Sequence, residues 1–202
     1  MKNKLLLTLL IAIFLTKNAF ALIEVDITRG NLNPLPIAIS PLYAESKSTE
    51  VLKEIDVGSE ISKVVENNLL RSGLFNPLKK DSFVQKPEIA HLKPRFEDWN
   101  LIKAQALVTG KVEITDEKLR VEFRLWDVLA GKEMMALAFT TMPSSWRRVA
   151  HIITDKVYQR LTGEEGYFDT RIIYVSEAGP KTQRIKKLAI MDQDGENTKY
   201  LT

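Results

Sequence analysis

The sequence predicts an α/β protein: a two-layer sandwich in which helices cover a mixed β-sheet, followed by the first strands of a β-propeller blade. Three observations carry that prediction. Leu119, Val121, Phe123 and Leu125 alternate with Arg120, Glu122 and Arg124, the period of a strand with one buried and one wet face. Two stretches, Val57 to Arg71 and Trp146 to Leu161, carry apolar residues at helical spacing. A Gly-rich joint after Leu161 leads into three short β signals within about 30 residues, most of one four-stranded blade of a repeat that usually runs to about 40 to 45 residues.

The meander is the centre of the prediction. Ala106 to Ile114 reads as the strand before Leu119, joined through the polar turn Thr115-Asp116-Glu117, and Ala130-Gly131-Lys132 turns the chain back into a third strand, Glu133 to Thr141. The apolar face so made needs a lid. In the second helix Trp146, Val149, Ala150, Ile153, Val157 and Leu161 share a side, with Pro143 before it, Ser144 or Ser145 to cap it and Gly163 to end it. In the first helix the face is Val57, Ile61, Val64, Val65 and Leu69, with Asp56 as cap and Ser72-Gly73 as stop.

Between these elements the reading is coarser. Pro36 to Ser40 is a short strand closed by Pro41, Tyr43 to Asp56 a polar surface loop, and Leu74 to Leu78 a return into the sheet. Lys79 to Pro94, with Pro87 and Pro94, reads as irregular, and Phe96 to Ala104 as a short helix with Phe96, Trp99 and Ile102 or Lys103 inward. The blade strands are expected at Arg171 to Val175, Arg184 to Met191 and Asn197 to Leu201, with the tight turn Asp192-Gln193-Asp194-Gly195 between the last two. Three strands cannot bury their own faces, so the chain reads as a fragment with an incomplete propeller.

The first residues lie outside this core. Lys2 and Lys4 precede the apolar run Leu5 to Leu15, and Ala19-Phe20-Ala21 is a small-x-small cleavage pattern. The run is shorter than the roughly 20 residues a bilayer span needs, which favours a cleaved export signal over a retained anchor. The mature chain is then expected to start at Leu22, with no integral membrane segment. The 202 residues carry 29 Lys and Arg against 26 Asp and Glu. Lys2, Lys4 and Lys17 leave with the signal, so the mature protein is about neutral and gives little reason to expect nucleic acid. Arg147-Arg148 and Lys186-Lys187 read as solvated faces. With no cysteine there is neither a disulfide framework nor a lipidation site after the signal.

Chemistry is sparse. His91 and His151 are the only histidines, so no zinc set is expected. His151, beside the apolar stripe of its helix, reads as a helix-surface residue and not as a base or ligand. Asp192-x-Asp194-Gly195 resembles the start of a calcium loop but lacks its later positions, and a hairpin turn is the better reading. Gly-x-Ser-x-Gly, P-loop and Gly-x-Gly-x-x-Gly motifs are absent from the sequence. Neither a catalytic residue, a metal nor a cofactor is expected.

At the mature N-terminus Ile23, Val25 and Ile27 alternate with Glu24, Asp26 and Thr28, and Arg29 to Pro36 carries a Gly, two Asn and two Pro that break any continuing ladder. Such a strand is either an edge strand of its own sheet or an arm that adds to a partner's sheet edge. Periodicity alone favours the first.

Several stretches resemble the TolB family, periplasmic components of the Tol-Pal system. They are Ile27 to Ile39, with Thr28-Arg29-Gly30-Asn31-Leu32-Asn33-Pro34-Leu35-Pro36 at their centre, then Asn68 to Phe75 and Ala104 to Gly110. More specific are Arg120-Val121-Glu122-Phe123-Arg124-Leu125-Trp126-Asp127-Val128, Trp146-Arg147-Arg148-Val149-Ala150-His151, and Leu161-Thr162-Gly163-Glu164-Glu165-Gly166-Tyr167-Phe168-Asp169-Thr170-Arg171. The resemblance implies a periplasmic scaffold without catalytic activity. In that family an α/β domain precedes a six-bladed propeller that binds the lipoprotein Pal, and the mature N-terminus is recognised by the C-terminal domain of TolA, in support of outer-membrane integrity and constriction during division. Carried over by position, the TolA-binding arm is Leu22, Ile23, Glu24, Val25, Asp26, Ile27, Thr28, Arg29, Gly30, Asn31, Leu32 and Asn33. The expected division is 1–21 signal peptide, 22–33 arm, 34–162 α/β domain, 163–170 linker and 171–202 incomplete first blade. The competing readings are an exported α/β module with another envelope partner and the N-terminal part of a propeller-containing hydrolase.

Overall fold

The structure is a computed structural model that describes residues 33–44, 55–115 and 117–202. Leu22 to Leu32 of the expected arm, the export signal and residues 45–54 lie outside the described residues.

A mixed sheet is built first. Its strands are β1 (Leu35–Ile39), β2 (Tyr43–Ala44), β3 (Phe75–Pro77), β4 (Ala106–Ile114), β5 (Leu119–Asp127) and β6 (Lys132–Thr141). The order is β3-β1-β4-β5-β6, with β1 parallel to both β3 and β4, and the β4-β5-β6 meander antiparallel. β2, read as loop from the sequence, continues along β4 beyond β1, pairing Tyr43 with Lys111 and Ala44 with Val112. Pro41 cannot donate to the ladder, which accounts for the interruption between β1 and β2.

The alternation in β5 has the predicted consequence: Leu119, Val121, Phe123 and Leu125 are all fully buried. Above them lie α1 (Val57–Arg71) and α4 (Trp146–Thr162). Asp56 caps α1 through Ser59 N at 3.2 Å, and Gly163, at φ 79°, ends α4 in the left-handed conformation that glycine tolerates. The predicted serine cap of α4 is not formed. Pro143–Ser145 make a 3-10 turn whose own bond, Ser145 N to Met142 O at 3.0 Å, enters the helix, and Ser145 makes no side-chain cap bond.

The other face of the sheet carries a smaller core. Ala38, Leu107 and Val128 meet Ala90, Trp99 and Ala104 there, with Trp126 packed against them. The segment read as irregular supplies this cover, because Pro87 starts the one-turn helix α2 (Pro87–Ala90) and a 3-10 turn forms at Lys80–Ser82. The short helix α3 (Phe96–Leu101) buries Trp99. It stops before Ile102, since Lys103 adopts φ 63°, and of the two alternatives Ile102 is the half-buried one while Lys103 is exposed.

After α4 the chain forms a second, antiparallel sheet: β7 (Arg171–Ala178), β8 (Ile185–Asp192) and β9 (Lys199–Tyr200). Their order and antiparallel pairing are those expected of the first strands of a propeller blade. Ile173, Val175, Ile185 and Tyr200 are more than half exposed on them. Within residues 163–170, Gly166, Phe168 and Asp169 are packed down on α4. Asp155 on α4 accepts from Phe168 N at 2.7 Å and Asp169 N at 3.1 Å, and Phe168 is buried in the main core. Gly166 permits the approach, because a Cβ there would sit 2.3 Å from Asp155 Oδ1. Among the described residues no helix is long and apolar enough to cross a membrane.

Candidate functional site

Of the twelve arm positions, Asn33 alone is described, exposed just before β1. The strand that follows those positions is described. Leu35 N donates to Leu74 O at 2.9 Å, three residues beyond Arg71 at the end of α1. At that same end of α1 the described residues converge on a polar junction.

Three elements build it. From α1 come Asn68 and Arg71, from α4 Arg147, His151 and Thr154, and from the end of β8 and the turn after it Asp192, Gln193 and Asp194. The turn is closed by Asp192 N to Glu196 O and Gly195 N to Asp192 O, both 2.9 Å, with Gly195 at φ 91°. The predicted hairpin turn is therefore present, and it points its side chains at the helices. A cleft of about 320 Å³ opens beside it, lined in part by Ser144, Arg148, His151, Asp192 and Lys199.

Asn68 organises the junction. Its Oδ1 accepts from Arg71 Nη2 at 2.5 Å and Gln193 Nε2 at 3.0 Å. Its Nδ2 donates to Thr154 Oγ1 at 3.1 Å and pairs with His151 Nδ1 at 2.9 Å. Arg71 has only donors, and the Thr154 hydroxyl proton is committed to Ala150 O at 2.8 Å. The amide orientation follows from both, so Nδ2 is the donor to His151 and Nδ1 the acceptor. Neutral His151 must then carry its proton on Nε2.

His151 is 2% exposed, so its reading as a helix-surface histidine is corrected. Burial came from outside its own helix: α1 and the β8–β9 turn cover the flank that helical periodicity left open. Among the described residues Nε2 has no hydrogen-bond partner, and Asp194 Oδ2 lies 3.5 Å from it. Burial lowers the His151 pKa from 6.5, against the opposing pull of Asp194 and Asp192. Burial alone would push the Asp194 carboxyl up, but the Arg147 hydrogen bond and the Glu196 amide outweigh it and hold the carboxyl below 3.8.

Of the pair read as solvated, Arg147 is corrected, while Arg148 is exposed as expected. Arg147 places Nε and Nη2 on Asp194 Oδ2 at 3.1 and 2.6 Å, and Arg148 reaches Asp169 at 3.1 Å. Lys186 pairs with Glu177 at 2.8 Å, and Lys187 lies over the Tyr200 ring at 5.3 Å.

One ligand atom each of His151, Asp192 and Asp194 lie within 4.8 Å of one another. As arranged they do not fit a cation. The imidazole lone pair sits on Nδ1 and is taken by Asn68, Asp194 Oδ2 is gripped by both Arg147 nitrogens, and Asp192 Oδ2 accepts from Asn197 Nδ2 at 2.6 Å. What the arrangement does chemically is hold the second sheet to the two covering helices.

A mixed sheet under two helices, pinned through a charged turn to a second, three-stranded antiparallel sheet, defines an α/β module with a small β extension. Residues 23–134 match the family described as the TolB amino-terminal domain. A curated relative, the Tol-Pal system protein TolB of Pelagibacter ubique (strain HTCC1062), is 80% identical over 188 residues, covering 91% of this chain and 42% of the relative. The crystal structure of TolB from Acinetobacter baumannii superposes with a TM-score of 0.67 at 26% identity, over 84% of this chain and 39% of that one. The chain belongs to the TolB amino-terminal domain family. It spans well under half the length of these relatives.

Proposed function

We propose that this chain serves the Tol-Pal system of the periplasm as a non-catalytic adaptor, with an N-terminal arm that pairs with TolA and a propeller part that engages Pal. The divisions that go with this are an export signal at 1–21, the arm at 22–33, the α/β domain at 34–162, a linker at 163–170 and the first part of a blade at 171–202. The observation that carries the reading is the family match, which begins at residue 23 and so takes in the arm itself.

The mechanism is β-augmentation. Backbone groups of Leu22 to Thr28 add to an exposed sheet edge of the TolA C-terminal domain and supply affinity. Ile23, Val25 and Ile27 dock on one face, and Glu24 and Asp26 select a basic edge. The arm has a fixed root, because β1 is held between two parallel neighbours, β3 and β4. A rigid root with Gly30 and Pro34 just before it lets the arm reorient without disturbing the sheet.

Deletion of Leu22 to Thr28 is the test. Binding to the TolA C-terminal domain, followed by isothermal titration calorimetry, is expected to be lost while the melting temperature stays nearly unchanged. Unaltered affinity would remove the arm from the mechanism, and Pal binding is assayed separately on a chain that carries the complete propeller.

A further inference from the structure

The buried histidine at the junction has no part in that proposal, and its surroundings are built so that one proton matters. We propose that His151 is an acid-sensitive latch: protonation at Nδ1 sets two donors against each other at Asn68 and loosens the hold of α1 on the turn after β8.

The argument is one of hydrogen-bond parity. In the neutral state every partner in the chain of contacts has the right sign. Arg71 Nη2 donates to Asn68 Oδ1 and to Gln193 Oε1, Gln193 Nε2 donates to Asn68 Oδ1, and Asn68 Nδ2 donates to His151 Nδ1. An imidazolium carries a proton on both nitrogens, so its Nδ1–H would face the Asn68 Nδ2–H across 2.9 Å. Rotating the Asn68 amide relieves that contact but presents NH₂ to Arg71 and to Gln193. Rotating Gln193 in turn restores its bond to Asn68 and leaves its own NH₂ against Arg71. Arg71 has no acceptor to offer, so both of its bonds are given up and its exposed guanidinium turns to solvent. No arrangement of the two amides keeps every contact of the neutral state once the ring is protonated, and the bond lost between α1 and the turn is that of Arg71 to Gln193.

The charges around the imidazole do not reverse this. The charges that act on it are Asp194 and Asp192 from β8 and its turn, Arg147 from α4 and Asp169 from the segment before β7; Arg148 pairs with Asp169 and Arg171 with Asp192, while Arg71 on α1 bonds the Asn68 side chain. Asp194 Oδ2 lies 3.5 Å from Nε2, and both Arg147 nitrogens already hold that oxygen. The cleft beside the turn gives solvent protons a route to a residue that is otherwise enclosed. Burial acts in the same direction as the parity argument, disfavouring the charged ring.

The sign is fixed. A histidine whose folded pKa lies below 6.5 adds to the stability of the junction in full above 6.5, and that contribution is lost as pH falls through the folded value. Between the two values the loss reaches about tenfold in the closed-to-open ratio for each pH unit.

Heteronuclear NMR on the full chain tests the latch directly. The expected result is an Nε2–H tautomer at pH 7.5, a His151 titration below 6.5, and protection of the Gln193 to Glu196 amides that falls with acidification by up to that tenfold per unit, after correction for the intrinsic exchange rate. Asn68→Asp replaces the opposing donor with an acceptor for Nδ1–H, so in this variant His151 titrates above 6.5 and protection of the turn rises on acidification. An Nδ1–H tautomer at pH 7.5, a wild-type titration at or above 6.5, or turn protection flat between pH 7.5 and 5 would overturn the proposal. If Asn68→Asp does not fold, the wild-type titration and exchange data decide alone.

Discussion

Gln85 shows what a single buried amide does in this fold. It is 3% exposed, its Oε1 accepts from Trp99 Nε1 at 3.0 Å and from Arg95 N at 2.9 Å, and its Nε2 donates to Lys93 O at 3.0 Å. Those bonds close the segment between β3 and α3 over the smaller core. Gln85→Leu keeps the volume but strands the indole N–H and a backbone N–H. Unfolding free energy measured by urea titration is expected to fall by about 1–3 kcal/mol for each donor that stays buried and unpaired. Nothing in the sequence around Gln85 marks it, because it lies between prolines in a stretch without a period. His151 was misread for a related reason. Helical periodicity reports which flank faces the helix's own sheet and is blind to a second element arriving from 40 residues downstream, where Asp192 and Asp194 are found.

The elements themselves were largely legible. The face of α1, the stripe of α4 and the alternation of β5 all follow from spacing, and each buries the residues it should. Loss of the Asp56 cap is a local event, so Asp56→Ala is expected to cost about 1 kcal/mol by chemical denaturation, with α1 fraying first in hydrogen exchange. Phe123 lies at the centre of β5, fully buried and stacked on Phe139 at 6.1 Å between centroids. Phe123→Ala is expected to cost about 3–5 kcal/mol, read as a fall in melting temperature. The elements that were missed are short. β2 and α2 have two and four residues, and each takes its identity from a neighbour, β2 from the ladder of β4 and α2 from the packing of Ala90 under the sheet. A segment that short has no room for a period to show.

For the molecule as a whole the decisive contacts are those between the covering helices and the second sheet with the segment before it. Asp155 ties residues 168 and 169 to α4, Arg147 ties Asp194 to it, and Asn68 ties Gln193 to α1. Acid weakens this in order. Both His151 and Asp194 have folded pKa values below their ordinary ones, so each contributes stability above its unfolded value and loses it as pH falls through the folded value. Thermal melts between pH 7.5 and 3 are expected to show a first decline below about 6.5 and a second below about 3.8. In Asp194→Asn the second decline is diminished. The sequence by itself determined the helices and the meander, since solvent and core act on each residue through local spacing, and its motifs carried the family resemblance. The closure of the junction was decided by the tertiary structure alone. Asn68 meets His151 across 83 positions and Gln193 across 125, and the protonation state of one buried ring depends on donors that no local pattern brings together.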